Sequence, residues 1–213
     1  MNPPFAFRQW RSCANPETIG IELLGSPVDP GSVCQGLDSL VARLDLGHAS
    51  FVLMRLAPTD DAGIRTALST AFASFEATDI RVCFAVDRWT LSRLGGRGLD
   101  SLRAGLLLDD VDGDTPPAAL THEAIEAIRF RPEFVASAVR RLRLGCALEA
   151  SLGLARALGL AVLGPAVSKP HAMPGIAFDY SPMSADDPRA WIDRPPGSDA
   201  ELVRPQQELE LRS

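Results

Sequence analysis

Lysine is almost absent from these 213 residues: Lys169 is the only one, so nearly all positive charge is arginine. A catalytic lysine anywhere else in the chain is thereby excluded. Cysteine is sparse too. Cys13, Cys34, Cys83 and Cys146 are scattered without a CxxC pair, and the histidines stand alone at His48, His122 and His171. That spacing predicts four reduced thiols in a cytoplasmic protein and no zinc site. Long apolar runs are missing, and the opening Met-Asn-Pro-Pro lacks the basic start of a signal peptide. No membrane-spanning helix is expected. An excess of basic charge is missing as well: 21 basic against 27 acidic residues, net −6, argues against a general nucleic-acid or anionic-membrane binder. No serine sits in a nucleophile-elbow context, which leaves a Ser/His/Asp triad without support. What remains is a hydrophobic share of 46 % and a charged share of 23 %, enough to bury a substantial core.

The apolar pattern switches repeatedly between short β-like runs and longer helical ones. Strands are expected at Phe5–Trp10, Ile19–Leu24, Phe51–Leu56, Ile80–Val86, Leu106–Val111, Ile125–Phe130, Ala161–Val167 and Ile176–Tyr180, each short and rich in Val, Ile, Leu or Phe. Ala62–Phe75 spaces Ile64, Leu68, Ala71, Phe72 and Phe75 along one helical face, after the capping side chains of Thr59-Asp60-Asp61. A shorter helix is expected at Leu99–Ala104, and the best one at Ala147–Leu158, stopped by Gly159. The first two strands, joined through Asn15-Pro16, read as an antiparallel hairpin. The rest alternates strand and helix, which predicts an α/β chain with a parallel sheet, closed into a TIM-like barrel by eight strands. Residues 1–193 are expected to form that barrel. From Ser184 the prolines break long elements, and 194–213 read as a polar, flexible tail.

In such a barrel the working residues sit at the C-terminal strand ends. Those positions hold Glu22 to Ser26, Arg55, Asp87, Asp109-Asp110, Arg129 to Arg131 and Pro165. Three carboxylates and an arginine are expected to face one another at one mouth. Arg129 and Arg131 are expected to face opposite sides, with only one of them in the mouth. Asp110–Asp114 looks faintly like a calcium loop, but its twelfth position is Thr121 rather than a bidentate glutamate. Arg140-Arg141-Leu142-Arg143 reads as a solvated basic face.

This series resembles the EAL domain family of cyclic di-GMP phosphodiesterases and their inactive relatives. Gly20-Ile21-Glu22-Leu23-Leu24 is similar to the name-giving turn, Arg55-Leu56-Ala57-Pro58 to its asparagine-leucine-serine-proline, and Leu108-Asp109-Asp110-Val111-Asp112-Gly113 to its double-aspartate strand end. Arg129-Phe130-Arg131-Pro132-Glu133-Phe134-Val135 and Leu154–Val162 follow in family order, so the likeness runs from about Phe5 to Trp191. The resemblance implies a barrel whose active members hold two divalent metals in a nest of carboxylates plus an asparagine. Carried over by position, Glu22, Asp87, Asp109 and Asp110 stay acidic. The metal-binding asparagine is Arg55, the catalytic lysine Arg129, a metal-binding aspartate Arg131, and the glutamate closing the seventh strand Pro165. The arginine that grips a substrate phosphate is Ser26, and the segment after the seventh strand shrinks to Ser168–Pro174.

Charge arithmetic gives these departures a meaning. A two-metal site gathers anionic oxygens around cations ~4 Å apart. A guanidinium stays protonated and donates no lone pair. At ~4 Å it repels a divalent ion by several kcal/mol even at an effective dielectric near 20. Arg55 is therefore expected to act as a built-in cation forked onto Glu22, Asp87 or Asp109. The expectation is a vestigial site with no catalytic residue, no metal and no cofactor, in a bacterial cytoplasmic regulator that binds a protein partner. The alternative is a receptor that holds cyclic di-GMP without hydrolysing it, through Arg55, Arg129 or Arg131. The altered Thr115-Pro116-Pro117 loop makes self-association through the family's usual face doubtful.

Overall fold

Short strands of branched and aromatic residues cannot bury both faces alone, and here eight of them solve this by closing on one another. In the computed structural model they are β1 (Ala6–Ser12), β2 (Ile19–Val28), β3 (Ala49–Leu56), β4 (Arg81–Val86), β5 (Ala104–Val111), β6 (Ile125–Phe130), β7 (Ala161–Leu163) and β8 (Tyr180–Pro182). They form a closed barrel in the order β1 to β8. Neighbours from β2 to β8 run parallel, while β1 is antiparallel to both β2 and β8. The structure describes residues 6–14, 19–35, 37, 49–75, 80–93, 104–165 and 178–182. The expected helix at Leu99–Ala104 falls mostly outside these, and Ala104 itself opens β5. The tail, the segment Ser168–Pro174 and the single lysine also lie outside them.

Side chains alternate across each strand, so one set fills the barrel and the other packs outward. Inside are Trp10, Phe51, Leu53, Ala85, Leu107, Ala127 and Leu163. Outside, Val52, Met54, Phe84, Leu106, Leu108 and Ile128 pack against helices. Those helices include α1 (Asp61–Phe75), α2 (Arg88–Ser92), α3 (Pro117–Leu120), α4 (Pro132–Ala138) and α5 (Leu142–Ala157). As expected, Asp60 opens α1, its Oδ1 accepting the Gly63 N–H at 2.9 Å.

Helix α5 also ends as expected. Gly159 takes φ +71°, and the Leu160 N–H reaches back to the Ala155 carbonyl at 2.9 Å, closing the last turn. It starts five residues earlier than the sequence pattern indicates. Gly145 lies inside the helix because a Cβ there would sit 3.2 Å from the Ala138 carbonyl oxygen, so the α4–α5 corner packs against bare backbone. The basic stretch is solvated as expected: Arg140, Arg141 and Arg143 are all exposed. Strand β7 is shorter than expected, since Gly164 and Pro165 follow Leu163 directly and proline has no N–H to continue the ladder.

Candidate functional site

Glu22 on β2, Asp109 on β5 and Arg129 on β6 point into the barrel near its C-terminal end, and all three are buried. The guanidinium of Arg129 makes a two-pronged contact with Asp109. Its Nε donates to Oδ1 and its Nη2 to Oδ2, both at 2.7 Å. Its Nη1 donates to Glu22 Oε1 at 2.5 Å. One planar cation thus neutralises two carboxylates from opposite sides of the barrel, the geometry to which arginine is suited and lysine is not.

The first strand completes the cluster. The Trp10 indole N–H donates to Glu22 Oε2 at 3.0 Å. Arg8 stands directly across from Glu22 in the β1–β2 pairing and approaches Oε2 to 3.7 Å. The Arg129 guanidinium carbon also lies 5.9 Å from the Trp10 ring centre, within cation–π range. Sequence reasoning missed Arg8 and Trp10. The available signal was their period-two spacing in a strand antiparallel to the one carrying Glu22.

A backbone irregularity at the end of β5 supplies the next layer. The β5–β6 register slips between Leu108 and Val111, and Asp110 takes φ 56°. Aspartate is among the few residues that tolerate this left-handed region. The bulge brings Asp110 to the rim, where Arg55 Nη2 contacts its Oδ2 at 2.8 Å and Asp109 Oδ2 at 3.3 Å. The Asp110 N–H turns back to Asp109 Oδ1 at 2.9 Å.

Burial sets the electrostatics. It would lower the Arg129 pKa, but Glu22 and Asp109 outweigh it and hold the guanidinium protonated. Burial would likewise raise Asp109. The bonds and charge of Arg129, then Arg55 and the Asp110 N–H, hold it below the ordinary carboxylate range. Arg8 is lowered by burial, partly offset by Glu22 and worsened by Arg129.

Three expectations change. Two carboxylates rather than three meet the arginine, because Asp87 is exposed and its side chain is turned onto the start of α2. Arg55 does reach Asp109, as expected, but the cation forked between the buried carboxylates is Arg129, with Arg55 half-exposed at the rim and closer to Asp110. The reason is register: Arg129 enters at the level of both buried carboxylates, whereas Arg55 sits at the mouth. Arg129 and Arg131 do not face opposite sides through strand alternation, since residues two apart on a strand share a face. Only Arg129 lines the mouth because β6 ends at Phe130 and Arg131 already caps α4, where its Nη1 pairs with Asp112 Oδ2 at 3.3 Å.

The remaining candidates lie around this centre. Asp87 is exposed and caps α2, its Oδ1 accepting the Thr90 N–H at 2.7 Å. Pro165 is buried just beyond β7, and Ser26 lies in the second half of β2. Asp112 organises the loop after β5: its Oδ1 accepts from the Asp114 N–H and the Thr115 hydroxyl, and it contacts Arg88 at 3.7 Å. Its carboxylate is thus turned onto the chain's own donors rather than held out as a calcium ligand.

The donor set does not fit a divalent pair. Every oxygen of Glu22 and Asp109 faces an N–H donor, and a permanent cation lies between the two carboxylates. Arg55 contributes less to this arrangement than Arg129. Solvent screens a pair whose cation is half exposed, so Arg55→Ala is expected to cost under about 1 kcal/mol in a denaturant titration.

No family model matches the sequence, and no curated protein matches it. Solved structures do. The EAL domain of Xanthomonas citri FimX in complex with c-di-GMP is 13 % identical with a TM-score of 0.61, the likeness covering 84 % of this chain and 84 % of that one. A standalone EAL protein from Vibrio cholerae O395 in its c-di-GMP-bound form is 16 % identical with a TM-score of 0.60, covering 84 % and 88 %. The EAL domain of Mycobacterium smegmatis DcpA is 14 % identical with a TM-score of 0.55, covering 75 % and 77 %. The chain has the fold of EAL domains, a TIM-like barrel led by an antiparallel strand pair. Among the described residues no helix is long and apolar enough to cross a membrane.

Proposed function

We propose that this chain is a non-catalytic member of the EAL domain family that regulates by binding another protein in the bacterial cytoplasm, without phosphodiesterase activity. The observation that carries this reading is the Arg129 guanidinium locked between Glu22 and Asp109. Hydrolysis by the family's route needs a Lewis acid that lowers the pKa of a bound water and clamps attacking and leaving oxygens. A guanidinium offers only N–H donors, and those of Arg129 are directed at carboxylates.

Protein binding is favoured over ligand binding because the mouth is self-neutralised. Arg8, Arg55 and Arg129 all contact Glu22, Asp109 or Asp110. A phosphate entering there would have to displace an internal carboxylate. Two observations favour a second reading, a receptor for c-di-GMP: two of the EAL structures named above are bound to that dinucleotide, and Arg55 is half exposed at the rim.

Incubation with c-di-GMP and Mg²⁺ or Mn²⁺ is expected to yield no linear dinucleotide above a metal-free control. Calorimetric titration is expected to show no micromolar binding, and affinity capture from native lysate a stoichiometric protein partner. Metal-dependent product formation would overturn the inactive assignment. Micromolar binding without turnover would replace the adaptor with the receptor.

A further inference from the structure

Among the described residues, the opposite, N-terminal end of the barrel is lined on one side by small side chains. Gly20 on β2 admits the Phe51 ring, which a Cβ there would meet at 1.9 Å, and Phe51 packs edge-on against Tyr180 with ring centres 5.0 Å apart. That aromatic pair fills one half of the layer. On the other half the lining positions of β4, β6 and β7 are Cys83, Ala127 and Ala161, and the result is a cavity of about 480 Å³. Ligand pockets begin at roughly 300 Å³.

The cavity's chemistry is specific. Leu107 and Leu163 close its inner wall. At its edge Arg81 and Glu126 form a partly exposed ion pair that spans β5, and the Glu126 carboxylate lies where a Gly105 side chain would be. The pair carries no net charge, and burial pushes the Cys83 thiol up to about 12, so it stays neutral. Each partner's charge offsets the other's, so the pair gives a charged head group of either sign no net attraction. A neutral head group with both a donor and an acceptor would bond to both members of the pair.

We propose that this cavity binds a small neutral amphiphile, an aliphatic body seated between Leu107, Ala127 and Leu163 with a hydroxyl or carboxamide head on the Arg81–Glu126 pair. The site is separate from the arginine-filled mouth and independent of the function proposed above.

Tyr180 is the only tyrosine in the chain and forms part of the wall, so 3-fluorotyrosine labelling gives one ¹⁹F reporter. Titration with 1-octanol or octanamide is expected to shift that resonance saturably. A hundredfold excess over Kd is expected to raise Tm by roughly 5 °C or more. Octanoate is expected to bind no more tightly than octanol, because the Arg81–Glu126 pair gives an anion no net attraction. Cys83→Phe and Ala127→Leu, which fill the space, are expected to abolish the shift. If either variant fails to fold, intermolecular NOEs from octanol methylenes to the Leu107 and Leu163 methyls in the unmodified protein decide the matter. No saturable shift, tighter binding of octanoate than of octanol, an unchanged shift in a folded blocking variant, or no such NOEs would each overturn the proposal.

Discussion

Arg129→Ala is expected to destabilise the protein by about 3–5 kcal/mol at pH 7, because it strands two buried carboxylates without their counter-charge. For a chain of this length that corresponds to a fall in Tm of roughly 10 °C. The effect comes less from losing an attraction than from leaving Glu22 and Asp109 desolvated and unpaired. Its pH dependence follows from sign. In the native protein Asp109 has a lowered pKa, so its contribution is present above the ordinary carboxylate range and is lost as pH falls through the folded value. Without Arg129, desolvation dominates and raises that pKa, so the variant's deficit should shrink between pH 7 and pH 4 as the proton is taken up. Replacing all three charges together, as Arg129→Met with Glu22→Gln and Asp109→Asn, should recover most of the loss, since a well-packed neutral cluster removes the desolvation cost. Arg129→Lys should not, because an ammonium cannot make the fork. A single Arg129→Ala variant within about 1 kcal/mol of the parent in urea titrations would contradict the cluster's central role.

The barrel itself was readable from periodicity. Strands β2 to β7 carry short branched runs and the α1 and α5 segments helical spacing, so local pattern and global fold agree there. Strand β8 at Tyr180–Pro182 has no such run and meets the expected Ile176–Tyr180 only at Tyr180. Less readable was anything set by register. Whether Arg55 or Arg129 faces the carboxylates depends on how far each strand is shifted against its neighbours, and a shift of one residue exchanges inside for outside. The bulge at Asp110 moves one carboxylate to the rim without leaving a mark in the alternation. Residues just beyond a strand end were misplaced for a related reason. Asp87 and Arg131 sit one residue beyond their strands, where a helix start claims them. Short helices such as α2 and α3 span barely one turn and have no periodicity to detect. The glycine inside α5 looks like a break until its neighbour's carbonyl is in place.

Trp10→Ala is expected to cost about 3–5 kcal/mol, the range for removing a large side chain from a packed interior. Trp10 is fully buried inside the barrel, and it performs two separable tasks. Its ring occupies the space between Phe51, Leu53 and the smaller Ala85 and Ala127, while its indole N–H holds Glu22 Oε2. Trp10→Phe keeps most of the packing and removes the donor. It should therefore cost less, about 1–3 kcal/mol, the penalty for leaving one buried acceptor unsatisfied. The two tasks are told apart by a cycle with Glu22→Gln. If the indole bond matters as a link in the charge cluster, Trp10→Phe and Glu22→Gln together should cost measurably less than the sum of their single effects. Additive losses would show that Trp10 acts through volume alone. An indole and three arginines hold the carboxylates of the mouth, so a coupled result would make β1 part of that charge cluster.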